Sequence, residues 1–217
     1  MKSDAFLFPC DVELLSMIKY IDLGEYTING LVVLENSNIS SVDEIGMPVI
    51  DVADVKYDTF DNVIVIEPEF YNHFFIENSI KKGKNVIFIE QKEKEDFDFK
   101  RLDSVSEEQQ ICVPVVFVAG AAPYTEKFHV QLALRKRLLD NDYKVSVIGS
   151  KPYSNLFGFH SFPFFMHENM DNTQKIILFR KYVKYVEMIE QPDLIIIGIP
   201  GAIMAINKKH YFDFGIT

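Results

Sequence analysis

Val115-Val-Phe-Val-Ala-Gly120-Ala-Ala-Pro-Tyr-Thr-Glu-Lys127-Phe-His-Val-Gln131 is an unbroken apolar run, a loop of small residues, and then a helical stretch with a Lys in its first turn. A short continuous apolar run is what a strand covered on both faces looks like, and such strands build parallel sheets with helical crossovers. The same alternation continues downstream. Strands are read at Lys144-Val-Ser-Val-Ile148 and Leu194-Ile-Ile-Ile197, and helices at about 126–140 and 173–190. In the second helix Ile176, Phe179, Val183 and Val186 mark one apolar face, while Arg180, Lys181 and Lys184 read as solvated.

Upstream, the runs Phe6-Leu7-Phe8, Leu31-Val-Val-Leu34, Val49-Ile50, Val63-Ile-Val-Ile66 and Val86-Ile-Phe-Ile89 repeat the pattern. Helices fit between them at Val12–Ile21 and at Asn72–Lys82, the latter stopped by Gly83. After Glu90 the pattern gives way to mixed charge without an apolar stripe. The expected organisation is an α/β unit over 1–92, a charged linker over 93–112, and a second α/β unit over 113–217. Two or three strands are few for a sheet, and Asn207–Thr217 reads as the approach to a further element. The expectation is therefore a truncated second unit, or one completed by packing on the first or on another subunit.

The 217 residues are 48% hydrophobic and 25% charged, an ordinary globular balance, with a formal net charge of −10. Scattered Lys and Arg on so acidic a chain argue against nucleic acid or an anionic membrane surface as partner, since both need a basic face. No window approaches the roughly 20 apolar residues of a membrane span, and the start is too short and acidic for a signal peptide. Cys10 and Cys112 stand alone, which suits a reducing compartment and a cytoplasmic protein.

Chemistry concentrates at the quoted segment. Amide groups of the 120–124 loop and of the helix start would face an anion, with Lys127 adding positive charge. On this reading Gly120, Ala121, Ala122, Tyr124, Thr125 and Lys127 line a phosphate or nucleotide site. Ser150, at the exit of the next strand, and Gly198 and Gly201, at the exit of the third, form its opposite wall. The plainer alternative has Thr125 capping the helix, Glu126 complementing its dipole and Lys127 pointing to water. Gly120-x6-Lys127 resembles the variant phosphate loop of dethiobiotin-synthetase-like P-loop proteins, in which a Gly lies seven residues before the Lys. That resemblance implies a second Gly where Glu126 stands and a hydroxyl residue, holding Mg²⁺, where Phe128 stands. Pro123 also removes one amide. The expectation is a degenerate P-loop unit that binds without hydrolysing, with a nucleotide as candidate cofactor.

A second stretch, Tyr153 to Phe165, is dense in aromatics, and Tyr153, Phe157, Phe159 and His160 are its candidate partner-binding residues. The alternative is a hydrophobic loop folded onto its own core. His129, His160 and His167 have no Cys or carboxylate at ligand spacing, so no metal site is expected. No Gly-x-Ser-x-Gly elbow and no Gly-x-Gly-x-x-Gly fingerprint occurs. In the first unit Asp11 reads as a helix cap, and the acidic strand ends at Glu67 and Glu90 disfavour a phosphate ligand there and favour a scaffolding or docking role.

The Phe8-Pro-Cys-Asp11 opening, the Glu126-Lys-Phe-His-Val-Gln-Leu132 helix start and the Phe157-Gly-Phe-His-Ser-Phe-Pro163 loop together resemble a family of bacterial peptide-maturation-system proteins. The resemblance implies action beside a ribosomally made peptide and its modifying enzymes, with the peptide or an enzyme as partner and room for a homo-oligomer. The fold expected from the alternation of runs and helices is two consecutive Rossmann-like, three-layer parallel units. A non-catalytic adaptor, binding its partner through residues 153–165, is the competing expectation.

Overall fold

The computed structural model describes residues 3–21, 26–35, 46–106, 108–122, 125–201 and 203, with the backbone alone at Glu93. The chain divides into two compact units, 1–96 and 97–217. Among the described residues no helix is long and apolar enough to cross a membrane.

The first unit runs β1 (Ser3–Phe8), α1 (Val12–Met17), β2 (Tyr26–Val33), β3 (Val49–Asp51), β4 (Asn62–Val65), α2 (Phe74–Lys81), β5 (Asn85–Phe88) and α3 (Ile89–Asp96). Its five described strands are all parallel, in the order β3-β2-β1-β4-β5. The chain steps one way from β1 and later returns to its other side, the doubly wound arrangement of Rossmann-like sheets. Side chains alternate across the pleat. Phe6, Phe8, Val63 and Val65 share a core with Phe75 and Ile76 of α2, while Ala5, Leu7, Leu31 and Ile64 alternate with them and are equally buried.

Polar side chains fix the strand ends. Asn62 donates from Nδ2 to the Asp4 carbonyl (2.8 Å) and accepts at Oδ1 from Asn85 Nδ2 (2.9 Å), tying the amino ends of β1, β4 and β5. Asp11 caps α1 by accepting from the Leu14 amide at 2.7 Å. The helix expected over 12–21 is α1 followed by a 3-10 turn, Ile18–Tyr20, and the one expected over 72–82 is α2, with Gly83 at φ 73° just beyond it. Cys10 is buried, and burial first, then the charge of Asp11, pushes its thiol pKa upward, which keeps it protonated and unreactive.

The second unit contains α4 (Lys100–Asp103), β6 (Val115–Val118), α5 (Lys127–Leu139), β7 (Val145–Ile148), α6 (Asn172–Glu190) and β8 (Leu194–Gly198). Its three described strands are parallel in the order β6-β8-β7. Ile148, Ile195 and Ile197 pack with Phe179, Tyr182, Val183 and Val186 of α6. The alternate residue Gly198 meets α5 on the opposite face, so this unit has three layers. β6 is an edge strand on which Val116 and Phe117 are 38% and 59% exposed.

Three expectations are corrected. Segment 93–112 is not a linker: it begins with the last turn of α3, after which Leu102 is buried in the second core and Phe97 and Ile111 pack against it. A few widely spaced apolar residues anchor it, which no periodic stripe would reveal. Ile176 is 54% exposed, and Tyr182 takes its part in the buried face of α6. Lys184 is not solvated either. Its ammonium lies 2.9 Å from Glu187 Oε2, the two side chains being 12% and 9% exposed, while Glu187 Oε1 accepts from the Cys112 amide at 3.0 Å. The hydrogen bond to Glu187 holds the Lys184 pKa above its ordinary value. Glu187→Ala leaves a sheltered ammonium and an amide without their acceptor, and should cost about 2–3 kcal/mol in urea unfolding. A loss under about 0.5 kcal/mol would show that both groups reach water instead.

Candidate functional site

The carboxyl ends of β6, β8 and β7 are each followed or closed by a glycine pressed against a polar neighbour. A Cβ on Gly120 would overlap the Thr125 hydroxyl and come within 2.8 Å of Lys127 Cδ. One on Gly149 would overlap the Ser154 hydroxyl, and one on Gly198 would overlap the whole carboxamide of Gln131. The sheet's exit edge is therefore built by backbone and short polar groups rather than by apolar packing. This is the edge at which ligands of open α/β sheets bind.

Lys127 opens α5 and reaches across this edge, its Nζ donating to the Gly201 carbonyl beyond β8. The Ile203 amide donates to the Gly120 carbonyl at 2.9 Å, so the exits of β6 and β8 are also joined through backbone. Gln131, one helical turn after Lys127, is fully buried. Its Nε2 donates to Ser150 Oγ (3.0 Å), beyond β7, and to the Lys127 carbonyl (3.2 Å). The structure thus brings Gly120, Thr125, Lys127, Ser150, Gly198 and Gly201 to one edge. Ala121 and Ala122 lie in the same loop, and Tyr124, like Pro123, falls outside the described residues.

The plain capping arrangement is not what forms. Thr125 Oγ donates to the Ala122 carbonyl at 3.1 Å, Glu126 makes no capping hydrogen bond, and Lys127 is on Gly201 rather than in water. Glu126 is exposed and left-handed, at φ 51° and ψ 26°. That conformation suits glycine better than a residue with a side chain, and the Glu126 side chain is exposed.

Phe128 is 1% exposed, its ring 5.0 Å from Phe157, 5.6 Å from Phe159 and 6.1 Å from Tyr153. Tyr153, Phe157 and Phe159 are themselves 1%, 4% and 5% exposed, which corrects their reading as a partner-binding surface. Edge-on and tilted rings around Phe128 bury more apolar area than a solvent-facing loop could, and the loop folds inward. His160 is likewise not displayed: its Nε2 lies 2.7 Å from Glu190 Oε1, and its backbone pairs beside β7. Glu190 also accepts from the buried Ser146 hydroxyl through Oε2. This Ser146–Glu190–His160 cluster pins the loop to α6, and nothing in the spacing of the three residues announces it. Gln131 was equally hidden, its only trace a polar residue four positions after Lys127 and three after a buried Phe. Among the described residues no group of His, Cys, Asp and Glu is arranged to hold a metal ion.

No protein-family model and no curated protein matches the chain. Its fold is similar to the crystal structure of a DUF1611 family protein from Anabaena variabilis, with a TM-score of 0.59 at 11% identity, over 95% of this chain and 69% of that one. At that identity the likeness shows a shared α/β fold and nothing more.

Two outcomes follow from this geometry. Glu126→Gly relieves a left-handed non-glycine residue and should leave stability unchanged or raise it by up to about 1 kcal/mol in urea unfolding; a clear loss would mean the Glu126 side chain is held by the fold. The hydrogen bond from His160, then that from Ser146, holds the Glu190 carboxyl below its ordinary value of 4.5. Its stabilising contribution is therefore fully present above pH 4.5 and is lost as pH falls through the depressed folded value. Glu190→Gln should flatten the acid limb of stability against pH by about 1 kcal/mol or less, because the carboxyl is partly exposed; an unchanged acid limb would contradict the assignment.

Proposed function

We propose that the second unit binds a small phosphate-bearing ligand, with nucleotides in that class, at the carboxyl edge of its sheet, and does not hydrolyse it. The observation that carries this reading is the Lys127 ammonium drawn back over the exits of β6 and β8 onto the Gly201 carbonyl. A phosphate oxygen is a stronger partner for an ammonium than a neutral carbonyl is, and the start of α5 adds the positive end of a thirteen-residue helix dipole. An anion entering there exchanges the Gly201 carbonyl for its own oxygen on Lys127.

Phe128 argues for binding without turnover. Where the P-loop resemblance implies a hydroxyl for Mg²⁺, this chain has a ring buried among three other aromatics, which offers a metal no donor. The biological setting we propose, from the resemblance to peptide-maturation proteins, is maturation of a bacterial peptide, with the peptide or a modifying enzyme as partner. The adaptor alternative loses its support, because the aromatic side chains assigned to it lie in the core.

Calorimetric titration of the full chain with ATP, ADP and inorganic phosphate tests the reading. Binding of at least one should be weakened about tenfold or more in Lys127→Ala, the worth of a lost charge-assisted hydrogen bond. Negligible heats for wild type and variant alike would end the proposal, and so would Mg²⁺-dependent turnover of ATP end its non-hydrolytic half.

A further inference from the structure

Gln131 carries an unexplained atom. The side chain is 0% exposed, its Nε2 is satisfied twice, and its Oε1 has no hydrogen-bond partner. A buried acceptor left unpaired is costly and rare in native proteins, and each case calls for a reason. Turning the amide over does not remove it, because the Lys127 carbonyl can only accept, and an oxygen facing it would be repelled. The atom belongs to the edge described above. The carboxamide fills the space over Gly198, between the first turn of α5 and Ser150, one turn beneath Lys127.

We infer that Gln131 is a specificity residue of this site, and that its free Oε1 selects phosphate esters bearing a hydroxyl or amine donor near the phosphate, such as polyol or sugar phosphates, over esters that bring only acceptors. The inference rests on the phosphate-site reading. The Lys127–Gly201 bond ties the turn after β8 to the first turn of α5, and Gly201 sits at φ 72°, a conformation open to glycine. A phosphate that takes Lys127 frees the Gly201 carbonyl and opens that turn. The neighbouring hydroxyl of the same ligand then donates to Gln131 Oε1. A fully ionised phosphate ester without a donor satisfies Lys127 but leaves Oε1 unpaired beside an anion.

The test is calorimetry on the full chain with two probes, glycerol 3-phosphate and methyl phosphate, at about pH 8, where both phosphates are fully ionised and only the first retains donors. Wild type should bind glycerol 3-phosphate about tenfold or more tightly than methyl phosphate, since a buried polar group left unpaired costs about that much. Gln131→Met, close in volume, should bring the two affinities together. Equal affinities in wild type with measurable binding of both, or a preference that survives in Gln131→Met, would overturn the inference while leaving the phosphate site standing. A uniform weakening of both probes in Gln131→Met, with the preference intact, would also overturn it and make Gln131 a tie between α5 and β7. No binding of either probe to wild type would remove the site and the inference together.

Discussion

The close approach of α5 to the carboxyl end of β8 is the constraint from which the second unit is organised. Where a side chain would project from Gly198, the Gln131 carboxamide sits instead, bonded to Ser150 beyond β7 and to the carbonyl of Lys127. A Cβ at 198 would displace that carboxamide from the place where it makes these bonds, since the space is already filled. With the helix held this close, Lys127 is delivered over the sheet edge and finds the Gly201 carbonyl. The similar pressing of Gly120 on Thr125 and Gly149 on Ser154 repeats the device at the other two strands. A polar, backbone-rich edge results, and Lys127 lies where the exits of β6 and β8 meet.

Phe128 ties that edge to the rest of the unit. It is adjacent to Lys127 in sequence but turns to the opposite role, becoming the centre of an aromatic cluster with Tyr153, Phe157 and Phe159. Aromatic burial of this size contributes several kcal/mol per ring at about 25 cal/mol per Å². It fixes both the start of α5 and the loop after β7. Pinning by Ser146, Glu190 and His160 adds a polar clamp on the far side of the loop. Phe128 thus supplies the packing that shapes the candidate site.

Much of the fold was legible because parallel strands carry apolar runs, and each of the eight described strands overlaps one, with Ser146 interrupting it in β7 and β2 starting ahead of it at Tyr26. The glycine-rich exits and Lys127 were visible for a related reason, since strand, short loop and helix start are local in sequence. What misled was exposure. Periodicity shows that Phe157 and Phe159 are apolar, not which way the loop turns, and the partners that bury them come from Phe128, nearly thirty residues earlier. Segment 97–112 failed to read as folded because its anchors Phe97, Leu102 and Ile111 follow no regular period, and it is held by side chains contributed from α6 and β8.

By itself the sequence determined the α/β alternation, the two parallel units, the strand positions and the nomination of Gly120, Lys127, Ser150, Gly198 and Gly201, because each of these depends on neighbours within a few residues. Only the tertiary structure decided that the nominated residues share one edge, that Glu126 turns outward in a glycine's conformation, that the aromatic loop is core, and that Gln131 lies buried with an unpaired oxygen. Those outcomes depend on contacts between residues distant in sequence, and above all on a helix brought against a glycine sixty-seven positions away from Gln131. No local pattern encodes such a meeting, because its energy exists only once the two surfaces have been packed together.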